Sequence, residues 1–184
     1  MSVVDIARRK KTMEELHRAG VEQFRAQPKL PLTVVLDDVR SMHNVGSVLR
    51  TADAFRVEEV VLCGITPLPP KPEIHKTALG AEDAVQWEHC ASALEAVRRL
   101  ADEGYVVCAV EQAHGSVPLN RFCVPEAARG RYAVVLGHEV RGVDQEVVSK
   151  AHYCLEIPQY GTKHSLNVSV TAGIIIHYLA SLLR

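Results

Sequence analysis

The feature that most limits what this chain can fold into is the alternation, beyond residue 31, of short apolar runs with longer helical patterns. Residues 32–36, 59–63, 105–110, 132–136 and 153–157 are runs of strand length, rich in Val and Ile and mostly apolar on both faces. A strand covered by helices on both sides reads this way, whereas a strand with one wet face alternates apolar with polar residues. Between the runs, residues 45–55, 91–103, 143–150 and 165–183 carry helical patterns. This order predicts an α/β fold with a largely parallel sheet flanked by helices. In such sheets ligands gather in the loops that leave the carboxyl ends of strands.

The 184 residues fit one domain with a single sizeable core. Residues 29–184 are expected to form it, preceded by a helical extension over residues 1–28. Within that extension residues 3–24 read as a polar helix carrying the basic cluster Arg8, Arg9, Lys10 and Lys11. The Gln27-Pro28-Lys29-Leu30-Pro31 stretch then reads as an extended link, because proline ends helices. Formal net charge is −1, so a nucleic-acid partner would need a local basic patch rather than a basic protein.

The five cysteines are odd in number, widely spaced and without a C-x-x-C pair, which argues against a disulfide framework and against a structural zinc site. They fit a reducing cytoplasm, and the amino terminus shows no secretory pattern. Residues 166–183 are the stretch most like a membrane span. They are interrupted by Asn167, Ser169, Thr171, His177, Tyr178 and Ser181, so a helix packed within the domain or against a second subunit is expected instead of a membrane segment.

Three segments carry residues that suggest chemistry. In the first, residues 43–53, Asn44 reads as an N-cap and Arg50 falls six residues later, nearly two turns on and roughly the same side of the helix. In the second, residues 134–143, a strand runs into a glycine turn at Gly137, and Glu139 reads as a carboxylate satisfying the start of the next helix. Only Gly137 and Gly142 are present there, so the segment lacks the G-x-G-x-x-G dinucleotide fingerprint. In the third, residues 156–173, a loop with Pro158, Gly161 and Lys163 precedes a polar helix start at Ser165, with Asn167 inside the first turn. Asn is a modest helix former, so its presence there suggests a pocket.

Together the segments resemble the SpoU (TrmH) family of RNA 2′-O-ribose methyltransferases in the SPOUT superfamily. The N-x-x-x-x-x-R-T-A pattern is matched from Asn44 to Ala52, and the apolar strand followed by G-x-E by Leu136, Gly137 and Glu139. The I-P-x-x-G and S-L-N-V-S pattern is matched from Ile157 to Ser169. The three occur in the family's order, over about residues 32–183. One departure is Val140, where many members carry glycine.

The resemblance implies a C-terminal trefoil knot that forms the methyl-donor pocket, and a homodimer through the knot region. S-adenosylmethionine would lie against Val110, Glu111, Leu136, Gly137, Ile157, Gly161 and Leu166. Arg50 would be catalytic, with Asn44, Glu139, Ser165 and Asn167 shaping the acceptor side. Positive groups for RNA would come from Arg8, Arg9, Lys10, Lys11, Arg40, Arg141 and Lys163. The implied reaction is methyl transfer to a ribose 2′-hydroxyl of transfer or ribosomal RNA, the former slightly preferred.

The donor's methyl is already activated, so no metal is expected, and the nine scattered histidines form no H-E-x-x-H pair. Most are expected to be core or surface residues, with His164, next to Lys163 and Ser165, as the exception to watch. The alternative is a catalytically silent RNA-binding or assembly protein of the same fold. An unrelated nucleotide-binding enzyme is disfavoured, since both the Walker A and dinucleotide patterns are missing. The chain is expected to be a minimal catalytic domain with short extensions.

Overall fold

A computed structural model describes residues 9–12, 14–16, 19–125 and 130–184. In chain order the elements are α1 (Val21–Ala26), β1 (Leu30–Asp37), α2 (Met42–Phe55), β2 (Val57–Cys63), α3 (Pro72–Ala78), α4 (Ala81–Ala84) and β3 (Trp87–Cys90). They continue with α5 (Ala93–Asp102), β4 (Val106–Val110), β5 (Val117–Pro118), β6 (Tyr132–Leu136), α6 (Gln145–Lys150), β7 (Tyr153–Glu156) and α7 (Val168–Leu183). Among the described residues seven strands form one sheet in the order β3-β2-β1-β6-β4-β7-β5, with every pairing parallel.

The apolar runs behave as two-sided strands. In β1, Leu32, Val34 and Leu36 join the core under α2 and α7, while Val35 points to the other face, with α5 and α6. In β6, Tyr132, Val134 and Leu136 go one way, and Ala133 and Val135 the other. This is the period-two alternation of a pleated strand with helices on both faces. The five expected strands all form, with ends shifted by two residues or fewer.

The missed elements are the two-residue edge strand β5 and those between residues 72 and 90. In that stretch α3 and α4 are only 7 and 4 residues long, and β3 is the edge strand Trp-Glu-His-Cys. A short edge strand has one unpaired side facing water and need not be apolar, so no hydrophobic run announces it.

The amino-terminal extension also differs from expectation. The described part of residues 3–24 contains a 3₁₀ turn at Glu14–Leu16 and the start of α1, and residues 9–12 are not helical. Gly20 stands immediately before α1 in an extended conformation. The like charges of Arg9, Lys10 and Lys11 offer no apolar stripe to hold a helix on the domain. Arg8 lies outside the described residues.

The last helix presents two different faces. Val168, Ala172, Ile175, Ile176, Leu179 and Ala180 are buried against the chain's own core, whereas Val170, Ile174 and Leu182 are exposed. Among the described residues no helix is long and apolar enough to cross a membrane. Leu179 has no solvent exposure. Leu179→Ala is therefore expected to lower unfolding free energy by about 2–5 kcal/mol, through lost burial and the cavity left behind. Urea denaturation checks this as a reduced midpoint with an unchanged slope.

Candidate functional site

The three sequence segments meet at the carboxyl ends of the strands, and hydrogen bonds join them directly. The turn after β6 carries Glu139. One of its carboxylate oxygens accepts the Arg40 amide at 3.0 Å. The other accepts the Ser41 amide at 2.9 Å and the Asn44 side-chain amide at 3.1 Å. Asn44 in turn accepts the side-chain amide of Asn167 at 3.1 Å, and Asn167 accepts the Ser169 amide at 2.8 Å.

The direction of this relay follows from chemistry. An ionised carboxylate only accepts, so Asn44 must turn its NH₂ towards Glu139 and its oxygen towards Asn167. Asn167 must then donate its NH₂ to Asn44, which leaves its own oxygen to cap α7. Each amide orientation is thus set by the charge at Glu139.

Several local expectations are corrected by this arrangement. Ser41, not Asn44, is the N-cap of α2; its hydroxyl accepts the Asn44 amide. Glu139 does not serve the helix that follows it in sequence. That helix, α6, starts at Gln145 and is capped by Asp144, while Glu139 satisfies backbone donors at the start of α2. The C-terminal helix begins at Val168 rather than Ser165, with Asn167 as its N-cap. Asp and Asn outrank most residues as caps because a short side chain reaches the free amides of the first turn.

Arg50 is likewise not on the side of Asn44. Six residues at about 100° each leave the two roughly 120° apart around the helix. Asn44 is buried, whereas Arg50 is exposed and has no ion-pair partner among the described residues.

The turn itself is tight. His138 and Gly142 exchange backbone hydrogen bonds at 3.0 and 2.8 Å. A Cβ at Gly137 would lie 2.1 Å from backbone atoms of Gly142 and Val143, so only glycine fits. Glu111, at the end of β4, pins the turn from the other side by accepting the Val143 amide at 3.1 Å.

Beside the turn lies a cavity of about 510 Å³. Val110, Glu111, Leu136, Gly137, Ile157 and Leu166 all line it, as do Glu139, Ser165 and Asn167. Gly161 does not; it is exposed in the loop between β7 and α7. The volume is within the range of small-molecule sites. Val110, Leu136, Ile157 and Leu166 give it an apolar surface suited to a purine ring. The Gly137 and Ile157 amides, which have no acceptor among the described residues, supply donors for its edge. Gln112, Gln159 and Ser165 add polar groups for a sugar or amino-acid portion. These residues fit S-adenosylmethionine.

Arg40, Arg141 and Lys163 are exposed around this region, with Arg141 paired to Asp38 at 3.3 Å. Arg9 instead pairs with Glu15 at 2.5 Å. Neither it nor Lys10 or Lys11 lines the cavity. His164 lines the cavity and holds Gln112 through its carbonyl at 2.6 Å. Gln112 and Gln159 were missed by sequence reasoning, because neither stands in a distinctive pattern. Among the described residues no group of three or more His, Cys, Asp or Glu is placed to hold a metal ion.

Fold and site together define a parallel-sheet α/β protein with a small-molecule cavity at its strand ends, walled by the second and third sequence motifs and the end of β4, with the first motif hydrogen-bonded to them. Residues 31–177 match the SpoU rRNA Methylase family, and the chain belongs to it. It is 30% identical over 173 residues to the 23S rRNA (guanosine-2′-O-)-methyltransferase RlmB of Vibrio parahaemolyticus, covering 93% of this chain and 67% of that protein. It is also 30% identical over 161 residues to RlmB of Neisseria meningitidis, covering 88% and 62%. The chain thus spans about two thirds or less of the length of these relatives.

Among solved structures, the AdoMet-bound rRNA methyltransferase from Sinorhizobium meliloti superposes with a TM-score of 0.76 at 26% identity, covering 89% of this chain and 60% of that one. The A. aeolicus TrmH/SpoU tRNA modifying enzyme gives 0.76 at 25% identity, covering 88% and 81%.

The relay makes a prediction about pH. Burial works to raise the Glu139 pKa. The hydrogen bonds from Arg40, Ser41, its own amide and Asn44 act against it, and the net value lies below the ordinary 4.5. A depressed carboxylate contributes stability that is complete above its unfolded pKa and is lost as pH falls through the folded value. Glu139→Gln is expected to cost about 1 kcal/mol at neutral pH, a modest figure because the carboxylate is partly in water. Denaturant midpoints of variant and parent should converge on acidification below the ordinary glutamate range.

Proposed function

We propose that this chain transfers the methyl group of S-adenosylmethionine to a ribose 2′-hydroxyl of transfer or ribosomal RNA. The observation that carries the reading is the Glu139–Asn44–Asn167 relay, which ties the helix carrying Arg50 to the two motifs that wall a cavity of mixed apolar and polar lining. The relatives support it: those named above are rRNA and tRNA enzymes, and one of them holds AdoMet.

The donor supplies an already activated methyl group, so the chain's own residues have to position a weak nucleophile and offset the charge it develops. A guanidinium is protonated at neutral pH. Arg50, exposed and without an ion-pair partner among the described residues, is available to pair with an RNA phosphate and to stabilise an oxyanion. Asn44 and Glu139 hold the first turn of the helix that carries Arg50, and Ser165 adds a hydroxyl at the cavity wall. Arg40, Arg141 and Lys163 provide the local basic rim that a chain of net charge −1 requires, with Arg8, Arg9, Lys10 and Lys11 as further RNA contacts.

We further propose a homodimer built on the C-terminal region. The exposed Val170, Ile174 and Leu182 on α7 give it an apolar surface to bury. Arg50 does not line the cavity of its own chain, which a second copy completing the site would account for. A trefoil knot in this region and a cytoplasmic location belong to the same reading. The five cysteines, all free, suit a reducing compartment.

Calorimetry is expected to show about one S-adenosylmethionine bound per chain, and no binding would reject the reading. Arg50→Ala should keep donor binding yet lose about 10²–10³-fold in methyl transfer to RNA. A variant with full transfer activity would remove Arg50 from the reaction.

A further inference from the structure

Tyr160 is the most exposed large hydrophobic residue among those described, at 95% of its full accessibility. A single exposed apolar side chain is ordinary on any surface; the position of this one is not. It stands in the loop between β7 and α7, and that loop forms part of the cavity wall on both sides of it. Ile157 and Gln159 line the cavity before it, and His164, Ser165 and Leu166 after it. The ring makes no hydrogen bond, aromatic contact or cation contact among the described residues. Nothing within the chain explains why a tyrosine is held there.

The surroundings indicate what the ring meets. The turn after β6, another part of the cavity wall, carries Val140, which is 83% exposed and lines the same cavity. The site therefore offers two nearly bare apolar side chains from two separate motifs. The cations Arg141 and Lys163 stand one and three residues away from them in sequence. A flat aromatic face for a base, with positive charge nearby for the phosphate, is the pair of features that single-stranded RNA recognition uses. A buried or paired base would present no face to such a ring.

We propose that Tyr160 is a substrate-positioning residue that stacks on an unpaired RNA base accompanying the acceptor ribose, with Val140 adding apolar contact from the turn after β6. The inference rests on the methyltransferase reading for the identity of the ribose, but stacking itself is measurable without any methyl transfer. It also gives Val140 a use: a side chain on this turn supplies apolar contact that glycine would not.

The test compares Tyr160→Ala and Tyr160→Phe with the parent chain in two assays. In the first, fluorescence anisotropy follows binding of a labelled, mixed-sequence single-stranded oligoribonucleotide. Tyr160→Ala is expected to weaken binding about 5- to 150-fold, the range for losing one stacked base, while Tyr160→Phe binds as the parent does. In the second, transfer from labelled S-adenosylmethionine to total cellular RNA should show a raised KM for RNA with Tyr160→Ala, at nearly unchanged kcat. Donor affinity by calorimetry should be the same for all three proteins.

Parent-like RNA binding by Tyr160→Ala overturns the proposal. So does equal impairment of the Phe and Ala variants, which would assign the effect to the hydroxyl, and so does a parent chain that binds no single-stranded RNA. A parent chain that binds the oligoribonucleotide through Tyr160 but transfers no methyl group would instead reject the methyltransferase reading and leave the stacking role standing.

Discussion

The carboxylate of Glu139 accepts two backbone amides and one side-chain amide from the start of α2, and the rest of the site depends on that arrangement. The amides of a helix's first turn have no partner inside the helix. Most helices satisfy them with a nearby side chain, and here Ser41 does part of that work. The amides of Ser41 itself and of Arg40 just before it are met by a residue almost 100 positions later in sequence. This long-range cap ties the helix carrying Arg50 to the turn beside the cavity. Because a carboxylate can only accept, its charge also orients Asn44, which orients Asn167, which caps α7. Two helices and a turn are thereby brought into register by one negative charge.

That turn can hold the register because its own geometry leaves little freedom. Gly137 has backbone where a side chain would be, and Glu111 fastens the far side of the turn. The cavity opens beside it, against Val110, Leu136, Ile157 and Leu166 at strand ends and in the loop before α7. A parallel sheet is well suited to this. All its strands end on the same side, so loops from β4, β6 and β7 converge without any further device. The cavity is therefore built largely at strand ends, while the exposed Val140 and Tyr160 are on the loops beside it.

How much of this was legible in the sequence depends on the range of the interaction involved. The five central strands were legible because burial on both faces demands apolar residues at nearly every position, a local signature. Edge strand β3 and the short helices α3 and α4 were not, because half-exposed or very short elements need no such pattern. The motif residues could be named from the sequence, through resemblance, but their jobs were misread where the partner was distant. Glu139 looked like a cap for the helix beside it, and Asn44 like a cap in its own right. Local proximity is all that a sequence displays, and the real partners lie 95 and 123 positions apart.

The sequence by itself determined the class of fold, the positions of the sheet's interior strands, the family to which the chain belongs and most of the cavity wall. These follow from hydrophobic periodicity and from ordered residue patterns, which survive in one dimension. Tertiary structure alone decided that Glu139 serves α2, that Asn44 joins Glu139 to Asn167, that Gly161 stays outside the cavity and that Tyr160 stands bare in the loop that walls it. Each of these is a fact about direction, and a side chain acquires a direction only when helices and loops remote in sequence have packed against one another.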